Sequence, residues 1–129
     1  MQFFIRHTPH AIERHMVVIV LLMVTIGCNS ENTLFLEIKA PVTIQCDGAE
    51  KALIEPSSPQ HKLIAGWFKN NQKGWSTSPA SYVPGIVIQG PDFTINVLDR
   101  IIVVNDGKAQ YVKKIEGKNY FYRLCKEMK

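Results

Sequence analysis

Histidine and cysteine are both scarce in this 129-residue sequence, and each shortage excludes chemistry. The three cysteines and four histidines show no paired-cysteine zinc spacing, and the chain has no Gly-x-Ser-x-Gly elbow, phosphate-binding Walker loop or dinucleotide fingerprint. No internal repeat or long low-complexity stretch occurs. Long hydrophobic runs are missing too: residues 16–28 form an apolar run of thirteen, where a membrane-spanning helix needs about 20. Nor does one charge dominate. The lysines fall at 39, 51, 62, 69, 73, 108, 113, 114, 118, 126 and 129, dispersed where a nucleic-acid binder would concentrate them among aromatics. A nucleic-acid partner is therefore not expected, and the mild basic excess reads as a solvated surface with some bias towards anionic headgroups or an acidic partner.

The short apolar run is itself informative. Arg6 and Arg14 precede it against a single acid, Glu13, and polar Asn29-Ser30-Glu31-Asn32 follows at once, the layout of a secretory signal core. The residues Thr25-Ile26-Gly27-Cys28 resemble a bacterial lipobox. That resemblance implies a signal peptide over 1–27, lipid attachment (palmitate) at Cys28, a lipidated tether over 28–33 and a domain over 34–129. Such a lipoprotein sits on the bacterial cell envelope, its domain facing the periplasm and its membrane contact made through the lipid. An uncleaved N-terminal anchor, which also places the domain outside the cytoplasm, and a buried core segment are the other readings of the run.

Removing residues 1–27 leaves 102, enough for one domain with a modest core. That part carries thirteen basic and ten acidic residues, and His61 is its only histidine. Cys46 and Cys125 remain as an even pair, which in an oxidising compartment predicts a disulfide bond. A nucleophilic thiol served by His61 is the competing reading, and no third orienting group stands at a recognisable spacing. The acids Asp47, Glu50, Glu55, Asp92, Asp99 and Asp106 fall at turns, where carboxylates commonly bond the chain's own backbone. No catalytic residue, cofactor or metal site is expected, and the protein does not read as an enzyme.

Periodicity predicts an α+β fold. Residues 34–39 and 42–46 read as extended, and Val42, Ile44 and Cys46 share a face. Residues 49–55 are ambiguous after the Asp47-Gly48 turn. A helix over about 58–73 is bracketed by serine, Pro59 and Gly74, and its stripe of Leu63, Ile64, Trp67 and Phe68 makes Trp67 a core anchor. Gly66 beside it suggests close packing on a sheet. Residues 86–88, 93–97, 101–104 and 109–115 form a meander of about four antiparallel strands, with Asp106-Gly107 in the last turn. Tyr120, Phe121, Leu124, Cys125 and Met128 at helical spacing predict a short C-terminal helix, with Cys125 on its buried side facing Cys46.

The stretch 75–84 is a long connection carrying Trp75 and Tyr82 among small hydroxyl residues, a composition suited to recognition. Alternatively Trp75 folds back over the helix end and Tyr82 plugs the sheet edge; Thr94, Asn96 and Gln110 on the meander are then the next candidates for binding. The functional expectation is an envelope-anchored, non-catalytic protein-binding module, in its most specific form an immunity or inhibitor protein against a delivered toxin. A structural accessory subunit of a cell-envelope or secretion assembly is the alternative. In either form the partner is a protein of the envelope.

Overall fold

The computed structural model describes residues 31–117 and 119–128. The expected signal peptide and Cys28 lie outside these residues, and the lipid-anchor expectation is carried by sequence alone.

Alternating apolar residues build an antiparallel meander of β4 (Ile86–Gln89), β5 (Thr94–Val97), β6 (Ile101–Asn105) and β7 (Gln110–Lys114). Each turn has a local cause. The β5–β6 hairpin closes through Leu98 N–H to Ile101 O at 2.9 Å. In the β6–β7 turn, the Asp106 carboxylate accepts from the N–H groups of Lys108 and Ala109 while Gly107 takes the left-handed φ of +82°. Those two amides hold the Asp106 carboxyl below the usual carboxylate range.

The chain before the meander supplies both flanks of the sheet. Strand β1 (Val42–Gln45) pairs with β4, and the three-residue β2 (Ala52–Ile54) pairs with β1 as one edge. The two-residue β3 (Ser76–Thr77) pairs with β7 as the other, giving seven antiparallel strands in the order β2-β1-β4-β5-β6-β7-β3. The fold is α+β: an open sheet packed by helices α1 (Pro59–Asn70) and α2 (Asn119–Glu127).

Register assigns the core to one face. Ile44, Ile88, Ile95 and Val104 stand opposite one another across four strands, and all four are buried. Ile64 and Phe68 of α1 and Phe121 and Leu124 of α2 complete the same cluster. Helix α1 starts as expected: the Ser58 hydroxyl accepts from His61 N–H, and Pro59 follows the cap. It ends a turn before the expected 73, because the Asn71 carboxamide donates to Trp67 O at 2.8 Å and takes that carbonyl out of the helical ladder.

One expectation is narrowed and one is corrected. Residues 34–39 bury Leu34 and Ile38 yet join no ladder; the segment is tied instead by Leu34 N–H to Gln72 O at 2.7 Å. Gly66 is not at a close approach, since a Cβ there would meet nothing within 4 Å. Gly66→Ala should therefore stabilise the domain by about 1 kcal/mol through helix propensity and reduced unfolded-state freedom, read from the urea midpoint at unchanged slope.

Candidate functional site

The expected site residues separate cleanly. Cys46, at the end of β1, and Cys125, on the buried side of α2, are bonded to one another with Cα atoms 5.8 Å apart. The pairing removes both thiols from any nucleophilic role. His61 is 3 % exposed, and its Nε2 lies 2.8 Å from Ala40 O, so the only imidazole among the described residues ties the approach to β1 onto α1. Beside the disulfide an open groove of about 630 Å³ runs between the β1–β2 turn and α2, lined in part by Ala49, Ala52, Tyr122 and Met128. Among the described residues, no three histidine, cysteine or acidic side chains gather to hold a metal ion, and no helix is long and apolar enough to cross a membrane.

Trp75 is not an exposed anchor. It is 0 % exposed, its Nε1–H donates to Asn71 O at 2.7 Å, and its ring stacks on Phe68 at 6.1 Å and meets Trp67 edge-on at 6.3 Å. Its backbone forms a two-way bridge with Asn32, so the end of the expected tether is fastened to the core. Lys113 completes the enclosure: its Nζ sits 6.0 Å from the Trp75 ring centroid and donates to Lys73 O. The physical reason for the correction lies at Gly74, whose φ of +81° turns the chain sharply inward between α1 and β3.

Tyr82 has a different setting. Residues 78–84 leave β3 at the sheet edge and must pass β7, β6 and β5 to reach β4, and they do so as a strap over the face opposite the helices. Two carboxamides of that face pin the strap. Gln110 Nε2 donates to Ser78 O and Ala80 O, while Asn96 accepts from Gly85 N–H at 2.8 Å and donates to Val83 O at 3.1 Å. The Tyr82 hydroxyl lies 2.9 Å from that of Ser78, leaving the ring half-buried along the strap, and Val83 stands exposed at its crest. Asn96 and Gln110 are thus occupied in holding the strap, whereas Thr94 is open to solvent.

The rest of this outer face is the feature that sequence reading did not assemble. Pairing register sets Leu53, Thr43, Gln89, Thr94, Asn105 and Gln110 in one row across the sheet. A second row runs Gln45, Val87, Asn96, Val103, Val112 and Ser76. Neither row contains a charge. Val103 is the one residue of the twelve that is buried, as expected beneath the strap, and Leu53 at the far edge is 63 % exposed. The half formed by β2, β1, β4 and Thr94 lies beyond the strap's pins. The local signal was present in the neutral alternation of Thr43 and Gln45 or Thr94 and Asn96; their alignment into continuous rows depends on register between strands more than forty residues apart.

Compared with known proteins, the chain matches no family model, no curated protein and no solved structure.

Proposed function

We propose that this chain is a lipoprotein of the bacterial cell envelope, anchored through Cys28, whose domain is a non-catalytic protein-binding module. The outer sheet face between Leu53 and Thr94, rimmed by Tyr82 and Val83 of the strap, is the docking surface. The observation that carries the reading is the pair of uncharged rows. Depletion of charge distinguishes the centre of a protein interface from the rest of a surface, because each buried charge must be compensated after losing its water. Threonine, glutamine and asparagine side chains on a rigid sheet supply hydrogen bonds at lower desolvation cost, and Leu53 and Val87 supply apolar area. The processing half of the proposal is tested by intact mass of the membrane fraction: a chain beginning at acylated Cys28 is expected, and a full-length unmodified chain excludes it.

The binding half is tested by photo-crosslinking in living cells, with a photoreactive residue at Thr43, at Gln89 or at Lys62 on the exposed side of α1. Thr43 and Gln89 should yield one discrete protein adduct of the same mass, and Lys62 none. Equal adducts from all three positions, or none from the two sheet positions, would remove the outer face as the docking surface.

A further inference from the structure

The domain is fastened close to the site of its anchor. Asn32 N–H donates to Trp75 O at 2.6 Å, Trp75 N–H donates to Asn32 O at 3.1 Å, and Leu34 N–H donates to Gln72 O, so residues 32–34 lie against 72–75 at the β3 edge of the sheet. Cys28 precedes Asn32 by four residues, and a fully extended chain of that length reaches about 14 Å. A lipid on Cys28 therefore keeps this edge at the bilayer surface. The chemistry exposed there suits the same neighbour. Phe35, next to the tied Leu34, is 73 % exposed, Lys73 is exposed beside Gln72, and Lys69 is exposed on the last turn of α1. The Lys113 ammonium is held at the same place by its bond to Lys73 O. Against these three lysines the adjoining segment sets Glu31, its other acid, Glu37, being paired with Lys39 at 2.9 Å.

We propose that the domain rests its β3 edge on the anionic lipid surface that carries the anchor, with Phe35 at the headgroup boundary and Lys69, Lys73 and Lys113 over the headgroups. The inference rests on the lipid anchor proposed at Cys28 and adds to it a contact made by the domain itself. Basic side chains within a Debye length of an anionic leaflet are attracted to it, and an exposed aromatic ring gains by leaving water at headgroup level. Few such contacts are needed. Tethering within about 14 Å makes each of them intramolecular in effect, so the short chain supplies the concentration that a free domain would lack. The same contact orients the molecule. Strand β2 lies six strand spacings from β3, roughly 29 Å across the sheet, so Leu53 and the half of the outer face beside it are held away from the lipid.

The test is fluorescence of the full chain, purified from membranes and reconstituted in vesicles of one part phosphatidylglycerol to two parts phosphatidylcholine, with and without bromine on the acyl chains near the headgroup. A tryptophan is added by Phe35→Trp or, at the far edge, by Leu53→Trp, and the emission of the two native tryptophans is subtracted using the wild type. The added tryptophan at 35 should lose about half its emission to bromine, and that at 53 almost none. Replacing phosphatidylglycerol by phosphatidylcholine, or adding Lys69→Glu and Lys73→Glu to the Phe35→Trp chain, should relieve most of that quenching; the lipid exchange does so without touching the fold. Intact mass of the same samples separates this proposal from the anchor it rests on. Acylated chains that are unquenched at 35, equally quenched at 35 and 53, or quenched at 35 regardless of both charge changes would overturn the docked edge and leave the anchor standing. Unacylated chains would overturn both.

Discussion

Trp75→Ala is expected to destabilise the domain by about 3–5 kcal/mol, a fall in melting temperature of more than about 15 °C for a domain of this size. Truncation would leave a cavity against Phe68 and Trp67 and would orphan Asn71 O, which accepts the indole N–H. The backbone bridge to Asn32 would lose the packing that holds it. Trp67 is half-buried, resting edge-on against Phe121 at 5.4 Å, so Trp67→Ala should cost distinctly less. Urea unfolding of the two variants side by side decides the order. A Trp75→Ala domain as stable as the wild type would mean that the indole is not the hub joining α1, the N-terminal segment and β7.

Breaking the Cys46–Cys125 bond is the second large effect. The bond spans 79 residues, and in the chain-entropy model opening a loop of that size returns about 4 kcal/mol of freedom to the unfolded chain. This is a substantial part of the 5–15 kcal/mol that domains typically possess. Replacing both cysteines by serine, or adding reductant to the wild type, should lower the unfolding free energy read from urea titration by a similar amount, and reductant should leave the serine variant unchanged. The location of the damage is a further readout: α2 is attached to the sheet at this bond and by Phe121 and Leu124, so its amides should exchange first. Equal midpoints with and without reductant would mean that the bond constrains nothing the unfolded chain would otherwise explore.

Where the signal was local, the sequence was readable. Strands β4 to β7 follow from alternation between recognisable turns, and the start of α1 from a serine cap and Pro59. The cysteine pair was readable for the same reason, since period two placed Cys46, and period 3.6 Cys125, on inward faces. Residues 34–39 mark the limit of that logic. Alternation of Leu34, Leu36 and Ile38 reports an extended segment with one buried side, which a chain packed beside a helix satisfies as well as a strand does. Strands β2 and β3, at three and two residues, are too short to show any period, yet they decide where the sheet ends. Trp75 was left between recognition and folding back over the helix end because nothing around it repeats: Gly74 on one side and Ser76 on the other give no stripe, and its burial comes from partners on three separate segments. The neutral outer face was the least legible feature, being made by register alone.

The path of the chain also orders its folding in time. The meander needs only short loop closures, whereas β1 must find β4 across some forty residues and β3 must find β7 across some thirty-five. The hairpin of β1 and β2 is too small to persist alone, so residues 31–85 gain a sheet only when 86–114 already offer one. For that interval β4 and β7 are both bare edges, and a nascent molecule is then most vulnerable to pairing with its neighbours. The strap cannot be laid before the meander, because its pins at Gln110 and Asn96 stand on β7 and β5, which must first be in place. Closure over Val103 is accordingly a late event, and a kinetic probe at Tyr82 should report a slower phase than one in the meander.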